Sequence, residues 1–532
     1  MASKSQPPDS VAKAASIRYS AAVDPDSIAY HARANGGRVA CVDLTTGERL
    51  TYGDLDRRIG KCAGYLETAL GAASGKRVAM LTRNGADVLV VHFACARAGA
   101  IFQPLNWRLS GPELETLVVD GAPALFIYET EFEEAALRAV AANSACHIVR
   151  IASEDDRLAA AIDAAAPGRP RAPDPDMPIT LLYTSGTTGT PKGVIVTGRN
   201  AWSTAFNFSL VNEVAPRDVL LCDMPMFHVA GLFGVARAAL LMGGTVLISD
   251  RFVPAQALAR MSDPALGVTH FFAVPQMAAA LRRDPAYAGS DLSRLKAIVC
   301  GGAPVPRALV EDYLAAGVRL LDGYGLSEAG TVFGMPLDDA TLARKAGSSG
   351  VPALTIEARL VGADARDVGP GEVGEIWLRG PSVTPGYWNQ PEATARAFHD
   401  GWYKTGDAAR RDEDGFYYIV DRWKDMYISG GENVYPAEVE NVLAGHPAVA
   451  EAAVVGVADA QWGESGCAYV VPRDGRALAA AEILEFCRPK LARYKVPKHV
   501  RFVEALPRTG SGKVRKDELR HAFASTNRET AS

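Results

Sequence analysis

The stretch that decides the fold of this chain lies at residues 179–193, which read ITLLYTSGTTGTPKG. Residues 179–182 have the apolar, β-prone character of a short buried strand. The strand leads directly into a loop with three glycines, five serine or threonine side chains and Lys192. Glycines permit the tight backbone path on which successive N–H groups point at one anion. The stretch therefore predicts a strand followed by a phosphate-binding loop.

This loop is not a Walker A loop, because the pattern G-x-x-x-x-G-K-[ST] cannot be laid over it. A phosphotransferase or ATPase that releases ADP is disfavoured for the same reason. By composition alone, a flexible Ser/Thr/Gly linker would look similar. The position of the loop directly after a buried strand favours the phosphate-binding interpretation.

Composition and charge place the chain among ordinary globular proteins. It has 532 residues, of which 48% are hydrophobic and 22% charged, so about three or four domains are expected. The net charge of −5 gives no general attraction to nucleic acid. No run of about 18 uncharged apolar residues predicts a membrane span, and the first 20 residues lack the apolar core of a secretory signal.

The eight cysteines are spaced at least 20 positions apart, so neither a CxxC pair nor a local zinc spacing occurs. In a chain of this length they indicate buried thiols in a reducing compartment rather than a disulfide framework. The sequence therefore predicts a cytoplasmic protein. Its pattern does not define the oligomeric state, for which a homodimer is the common default.

The order of elements predicts an α/β fold. A helix is predicted where Leu55, Ile59, Cys62, Leu66 and Leu70 recur at helical spacing. Buried strands are predicted at 77–81, 121–128, 179–183 and 245–248, and a connecting loop at 164–178. We expect a large N-terminal domain of layered α/β subdomains at 1–422, with a small β-barrel-like part near 356–387. A small mobile α+β C-terminal domain is expected at 423–532.

Seven segments resemble, in order, the motifs of the adenylate-forming (ANL) superfamily, which includes acyl-CoA synthetases, peptide-synthetase adenylation domains and luciferases. The first is the loop at 183–193. The others are PMFHVAG (225–231), YGLSE (324–328), YKTGD (403–407), DRWKD (421–425), SGGENVYP (429–436) and PRTGSGK (507–513). The resemblance covers roughly residues 25–520 and implies an AMP-forming acid–CoA ligase.

This resemblance implies two half-reactions that use ATP, Mg²⁺, a carboxylic acid and coenzyme A. A carboxylate attacks the α-phosphate of ATP and forms acyl-AMP with release of pyrophosphate. The thiol of CoA then displaces AMP. Because both steps move negative charge, positioning and electrostatic stabilisation should carry most of the catalysis.

Four residues are expected to be catalytic by resemblance. Lys513 bridges the carboxylate and ATP during adenylation, although composition alone would make it a solvated lysine in a basic run. Glu328 and Thr184 hold Mg²⁺, and Glu328 could instead be a carboxylate that favours a helix start. His228 lies at the wall of the acyl pocket and gates thioester formation, or it is simply a hydrogen-bonded core histidine.

The expected nucleotide- and CoA-binding residues lie in the seven motifs, in the turn at 301–304, and in a CoA-facing segment at 459–464. Tyr324 offers a face to adenine, Asp407 and Arg422 reach the ribose unless they form a surface ion pair, and Lys424 marks the hinge of a rotating small domain. The full set is Thr184, Ser185, Gly186, Thr187, Thr188, Gly189, Lys192, Gly302, Ala303, Pro304, Asp322, Gly323, Tyr324, Gly325, Ser327, Asp407, Ile419, Arg422, Lys424, Ser429, Gly430, Gly431, Glu432 and Trp462.

The expected acyl pocket is an apolar slot without a lysine or arginine that would select a second carboxylate. Its residues are His228, Val229, Phe233, Gly302, Gly325, Thr331 and Val332. The predicted substrate is therefore a monocarboxylic acid. Medium-chain fatty acids and aryl or arylpropenoic acids fit this pocket equally well. Fold analogy does not choose between them.

Free CoA is the expected acceptor, because GGENVYP at 430–436 is closer to CoA-ligase usage and only 16 residues follow Lys516, which leaves no room for a fused carrier domain. Two alternatives stay open: a stand-alone acyl-AMP ligase that loads a separate carrier protein, and a non-catalytic ATP-binding protein. Gly198 stands where members of the family usually have a histidine, and this difference puts the local helix packing in doubt. The stretch 488–516, with ten basic residues and one acid, is either a solvated surface or a surface for CoA phosphates.

Overall fold

The computed structural model of the chain describes residues 26–71, 73–141, 146–151, 157–168, 174–184, 191–422, 425–429, 432–459, 461–473, 478–508 and 514–529. The α-helices in these residues are α1 (Ser27–Asn35), α2 (Tyr52–Leu70), α3 (Ala86–Ala98), α4 (Gly111–Gly121), α5 (Glu133–Val140), α6 (Arg157–Ala164), α7 (Gly198–Val211), α8 (Arg237–Met242), α9 (Pro254–Ser262), α10 (Pro275–Arg283), α11 (Arg307–Ala315), α12 (Asp339–Arg344), α13 (Pro391–Ala397), α14 (Pro436–Ala444), α15 (Ala480–Cys487) and α16 (Lys516–Glu529). A π-helix, Ala230–Ala236, precedes α8.

The β-strands in the same residues are β1 (Val39–Asp43), β2 (Arg49–Thr51), β3 (Arg77–Leu81), β4 (Ile101–Pro104), β5 (Leu125–Glu129), β6 (His147–Ile151), β7 (Pro178–Thr184), β8 (Lys192–Thr197), β9 (Val219–Cys222), β10 (Thr245–Ile248), β11 (His270–Ala273), β12 (Ala297–Gly301), β13 (Leu320–Leu326), β14 (Gly330–Gly334), β15 (Val351–Pro352), β16 (Glu357–Val361), β17 (Val373–Arg379), β18 (Phe398–His399), β19 (Trp402–Arg411), β20 (Tyr417–Arg422), β21 (Tyr427–Ser429), β22 (Glu432–Val434), β23 (Val449–Asp459), β24 (Gly463–Pro472) and β25 (His499–Phe502).

Two mainly parallel sheets form the larger part of the molecule. The first has the order β15-β14-β13-β12-β11-β9-β10-β1-β2, and the second has the order β6-β5-β3-β4-β7-β8. Neighbours from β13 to β1 and from β6 to β7 are parallel, and antiparallel strands flank each run. Parallel neighbours need crossover connections, and the helices supply most of them.

The helices and the two sheets build alternating layers. One hydrophobic cluster joins Cys41 and Val246 of the first sheet to Val78 and Phe102 of the second, with α2 and α3 between them. A second cluster packs α9, α10 and α11 on the outer face of the first sheet, and a third packs α4 and α5 on the second. Helices therefore cover both faces of each sheet, as parallel sheets require.

Local sequence patterns account for several of these elements. The five apolar residues that predicted α2 are all buried, and Thr51 and Asp54 form a capping box at its start. The strands predicted at 77–81 and 245–248 are β3 and β10. The strand predicted at 121–128 is wrong at its start, because α4 continues to Gly121 and β5 begins at Leu125.

Two further sheets follow. The third, β16-β17-β19-β18 with β20 beside β19, is antiparallel and forms the β-barrel-like part. The fourth, β22-β21-β24-β23 with β25 beside β24, carries α14 and α15 on one hydrophobic cluster and α16 on another. The predicted α/β class, with a large N-terminal and a small C-terminal domain, is confirmed.

The cysteines agree with the expectation of buried thiols. All eight cysteines are free thiols, and seven of them are buried. Within the described ranges, no helix combines the length and the apolar character that crossing a membrane requires.

Candidate active site

The candidate site lies at the carboxyl ends of neighbouring parallel strands, where open α/β sheets usually bind ligands. Strand β12 ends at Gly301 and leads into the turn at 302–304, while β13 ends at Leu326 and leads to Ser327 and Glu328. Ala329 and Phe333 share a hydrophobic cluster with Ile376 of the third sheet. The third sheet therefore borders the carboxyl end of β13.

A hydrogen bond joins two of the predicted nucleotide motifs. The Oη of Tyr324 donates to Oδ2 of Asp407 at 2.6 Å, although the two residues are 83 positions apart. The Tyr324 ring stacks on Phe333 at 5.4 Å, and Phe333 stacks on Tyr417 at 4.4 Å between centroids. Asp407 on β19 lies opposite Arg422 on β20, as their proposed sharing of one sugar requires.

Glu328 is oriented by Tyr387, which the sequence interpretation missed and which contacts a second tyrosine. Tyr387 Oη donates to Glu328 Oε1 at 3.0 Å and lies 3.3 Å from Tyr403 Oη. Burial, together with the charge of Glu328, raises the pKa of both tyrosines, so both stay protonated. Tyr403 is the first residue of the YKTGD motif, and its place there was the available signal.

One end of the predicted phosphate loop lies against the same tyrosine. Thr184 and Lys192 are opposite each other in the β7–β8 hairpin, and Lys192 Nζ lies 4.8 Å from the centroid of the Tyr387 ring. Gly193 lies in a tight space, because a Cβ atom at this position would lie 3.2 Å from side-chain atoms of Trp388 and Tyr183. Tyr387 therefore links Lys192 to Glu328. The predicted residues Ser185, Gly186, Thr187, Thr188 and Gly189 lie outside the described residues.

The donor set of the site fits Mg²⁺ held mainly by water and phosphate. Within the described residues, no group of three or more His, Cys, Asp or Glu side chains could hold a metal ion. Glu328 uses Oε1 for Tyr387, and Oε2 accepts no hydrogen bond from the described part of the chain. One carboxylate with an available oxygen suits a cation that keeps several waters.

A small cavity joins Glu328 to the π-helix. It has no lysine or arginine among its described lining residues, which are Ile195, Val196, Asn200, Thr204, Val229, Phe233, Ser327, Glu328, Gly330, Ser382 and Thr384. Val229 and Phe233 were predicted as pocket residues, and the structure brings them to the same cavity as Glu328. π-Helical segments occur often at functional sites.

Other predicted pocket residues are less closely grouped. Val332 is fully buried and packs in the cluster beneath the third sheet, while the Thr331 carbonyl accepts a long hydrogen bond from Asn207 at 3.4 Å. His228 is half-buried, and its ring lies 4.6 Å from that of Phe227. Gly302 and Gly325 are exposed near the strand ends.

The remaining predicted nucleotide residues differ in exposure. Asp322 is buried, accepts a hydrogen bond from Ser349 Oγ at 3.4 Å, and has its pKa raised well above the usual range by burial. Gly323 and Ala303 are half-buried and Pro304 is exposed. Ile419 packs against the same hydrophobic cluster as Tyr324, the one that contains Phe333 and Ile376.

On the predicted CoA side, the residues differ in exposure. Ser429 is buried, Glu432 is exposed, and Trp462 is 43% exposed. Lys513, Lys424, Gly430 and Gly431, and the side chain of Arg422, lie outside the described residues.

The basic stretch 488–516 is largely neutralised within the C-terminal domain. Ion pairs link Arg488 to Glu485, Lys495 to Glu438, Lys498 to Asp459, Arg508 to Glu451, Arg515 to Glu518 and Lys516 to Glu440. Of the two interpretations left open by the sequence, this pairing favours the solvated surface over a surface for CoA phosphates.

Comparison with known proteins extends over most of the chain. The family model of the AMP-binding enzymes matches residues 28–388, and that of the AMP-binding enzyme C-terminal domain matches residues 438–513. A feruloyl-CoA synthase of Amycolatopsis sp is 44% identical, with 90% of this chain and 94% of the relative covered. The long-chain-fatty-acid–CoA ligase FadD13 of Mycobacterium tuberculosis is 38% identical, with 92% and 96% covered.

A solved structure agrees with these relatives. The o-succinylbenzoate CoA synthetase of Bacillus subtilis, in complex with its acyl-adenylate intermediate, superimposes with a TM-score of 0.83. It is 31% identical and covers 93% of this chain and 98% of its own. The chain therefore belongs to the family of AMP-binding enzymes as an AMP-forming acid–thiol ligase, which confirms the family and the reaction class that its seven motifs implied.

Proposed function

We propose that the protein activates an aryl or arylpropenoic monocarboxylic acid with ATP and transfers the acyl group to CoA. The observation that carries this proposal is the lining of the pocket that runs from Glu328 to Val229 and Phe233, which has no lysine or arginine among its described residues. Such a lining suits an uncharged acyl body. The higher identity to a feruloyl-CoA synthase, 44% against 38% for the fatty-acid ligase, supports an aryl acid over a long-chain one.

In the first half-reaction we assign nucleotide binding to Tyr324 and Asp407. Tyr324, whose ring stacks on that of Phe333, packs against adenine. The Asp407 carboxylate accepts hydrogen bonds from the ribose hydroxyls. Glu328, oriented by Tyr387, and Thr184 would hold Mg²⁺, which supplies charge neutralisation to the phosphates. Lys513 steadies the carboxylate of the acid while a carboxylate oxygen attacks the α-phosphorus of ATP. The bond between the α-phosphorus and the oxygen that bridges to the β-phosphate then breaks, and pyrophosphate leaves with the electron pair.

In the second half-reaction the thiol of CoA gives up its proton to solvent and its sulfur attacks the acyl carbonyl carbon, and AMP leaves with the electrons of the broken C–O bond. We propose that residues 423–532 rotate about Lys424 between the steps and bring Ser429, Glu432 and Trp462 to the CoA side. A cytoplasmic location and a homodimer complete the proposal.

Product analysis tests this function directly. The enzyme is incubated with ATP, Mg²⁺ and single acids (ferulic, cinnamic, benzoic and decanoic), with and without CoA. We expect AMP and pyrophosphate with the aryl acids, and a thioester only when CoA is added. ADP would contradict the reaction class, and a preference for decanoic acid would contradict the substrate class. An acyl-AMP that CoA does not discharge would indicate an acyl-AMP ligase instead.

The variant Lys513→Ala tests the assignment of the adenylation lysine. It should slow acyl-AMP formation by about 10²–10³-fold, the typical effect of removing one preorganised donor. Its thioester formation from added acyl-AMP should stay near the wild-type rate. Lys490→Ala, an exposed lysine of the same basic stretch, is the control and should leave both rates unchanged. Equal losses in both half-reactions of Lys513→Ala would refute the assignment.

A further inference from the structure

Three polar side chains, which we call the His92 group, are buried in the layer between the two large sheets. They are His92 on α3, Thr180 on β7 and Arg237 at the start of α8. His92 and Thr180 are 0% exposed, and Arg237 is 7% exposed. Polar side chains in such a place need hydrogen-bond partners, because burial removes the water that would otherwise solvate them.

The hydrogen bonds of the His92 group fix the orientation of the histidine ring. Nη1 of Arg237 donates to Nε2 of His92 at 3.0 Å, because a guanidinium has donors and no acceptor. Nδ1 therefore carries the ring proton and donates it to Oγ1 of Thr180 at 3.4 Å. Burial, together with the charge of Arg237, holds the pKa of His92 well below its usual range, so the ring stays neutral. One nitrogen thus ties the ring to α8, and the other ties it to β7.

Aromatic rings enclose the same histidine. The rings of Phe93 and Phe102 lie 5.2 Å and 5.6 Å from the His92 ring between centroids. The ring of Phe233 lies 5.4 Å from it, with an angle of 86° between the two planes. The guanidinium carbon of Arg237 lies 4.7 Å from the centroid of the Phe93 ring, within the range of a cation–π interaction. Because protein interiors are close-packed, a ring held on all these sides is a rigid part of the core.

Phe233 connects this histidine to the acyl pocket. Its side chain lines the pocket that runs from Glu328, and it belongs to the π-helix that precedes α8. Glu328 marks the end of the pocket where we assign Mg²⁺ and the phosphates, so Phe233 lies toward the end that receives the acyl body. His92 is not among the described lining residues of the pocket, but its ring packs edge-on against Phe233. The place that Phe233 can occupy therefore depends on the ring of His92.

We propose that His92 determines the acid specificity of the enzyme by holding Phe233 in place and so limiting the depth of the acyl pocket. This proposal rests on the proposed function and names the feature that restricts the substrate to compact aryl acids. His92 is a positioning residue, because it acts through Phe233. Its bulk prevents the phenylalanine ring from moving away from the pocket when a long acyl chain enters. Arg237 and Thr180 keep the histidine ring in the orientation that this role requires.

The test compares thioester formation from decanoic acid with that from cinnamic acid, at saturating ATP and CoA. In His92→Ala the kcat/KM for decanoic acid relative to cinnamic acid should rise by about 10-fold or more, the effect of room for one further methylene in an apolar pocket. His92→Gln keeps much of the bulk and an acceptor for Arg237, so it should keep the wild-type ratio. Leu66→Ala is the control, because it removes a fully buried side chain from the hydrophobic cluster that contains Phe233. It should lower the Tm and leave the ratio of the two acids unchanged.

An unchanged ratio in His92→Ala, or an equal rise in Leu66→Ala, would overturn the assignment. Should His92→Ala fold poorly, the double variant His92→Ala with Arg237→Met removes the buried cation together with its acceptor and permits the same comparison. A wild-type protein that forms no AMP from either acid would refute the proposed function, and the His92 assignment with it. A wild-type protein that prefers cinnamic acid, with the same preference in His92→Ala, would refute the His92 assignment alone.

Discussion

Asp223 is a carboxylate that the fold buries at the end of β9. Its side chain is 0% exposed, and neither oxygen has a hydrogen-bond partner in the described part of the chain. The guanidinium of Arg260 lies 3.6 Å from Oδ1. Burial raises the pKa of Asp223 to about 7, because the loss of hydration outweighs the attraction of Arg260.

The buried carboxyl predicts a stability that depends on pH. The folded protein holds this proton more tightly than the unfolded chain, so the free energy of unfolding should fall as pH rises from about 4 to about 7. Asp223→Asn removes the ionisation and should be more stable than wild type at pH 8 by about 1–3 kcal/mol, with a smaller gain at pH 5.

Urea unfolding at both pH values measures this difference. Asp291→Asn, at an exposed carboxylate, is the control and should change stability little at either pH. If Asp223→Asn were less stable than wild type at pH 8, the ion pair with Arg260 would outweigh the cost of burial.

At the scale of elements, helix starts and tight contacts set the walls of the site. Helix α7 begins at Gly198, where Thr197 and Asn200 form a capping box, so the departure from the usual histidine leaves a regular helix start. The π-helix begins beside a close backbone contact: a Cβ on Gly231 would lie 2.4 Å from the carbonyl oxygen of Pro225. A residue larger than glycine cannot occupy this position without moving the segment before His228.

Two glycines of the π-helix give a matched pair of variants. Gly231→Ala should raise KM for the acid at least several-fold and destabilise the protein by about 1–3 kcal/mol, because backbone must move. Gly234→Ala places its Cβ 3.4 Å from the Phe208 ring, an ordinary contact, and should change both quantities little. Steady-state kinetics and thermal unfolding of both variants measure this. Equal behaviour of the two would show that the Pro225 contact does not shape the pocket.

At the scale of the whole molecule, the hydrophobic clusters separate along the chain. Those of the N-terminal part contain residues up to Ile419, and the two of the C-terminal part begin at Tyr427. No cluster among the described residues draws from both parts. Two parts with separate cores are expected to unfold as separate units.

Calorimetry should therefore resolve two unfolding transitions in the full chain. Leu443→Ala, in a C-terminal cluster, should lower one midpoint, and Leu89→Ala, in the cluster between the large sheets, should lower the other. Each variant should lower the free energy of unfolding of its own part by about 2–5 kcal/mol, because the core of that part loses a fully buried side chain. A single transition that both variants shift would contradict this division at 422.

The sequence by itself determined the features that depend on neighbouring residues. The helical spacing of Leu55 to Leu70 predicted α2, and short apolar runs predicted β3 and β10, because periodic burial is written into local order. The motifs also identified the family, since each is a short contiguous string whose chemistry depends on its own residue types. Helix α4 limited this approach, because its end at Gly121 depends on packing as well as on spacing.

Only the tertiary structure decided the contacts between distant segments. Tyr387 meets Glu328 across 59 positions, and Tyr324 meets Asp407 across 83, so no local pattern could reveal either hydrogen bond. The same holds for the basic stretch, whose acidic partners at Glu438, Glu440 and Glu451 precede it by several tens of residues. Charge and burial act through space, and the fold alone determines which groups share it.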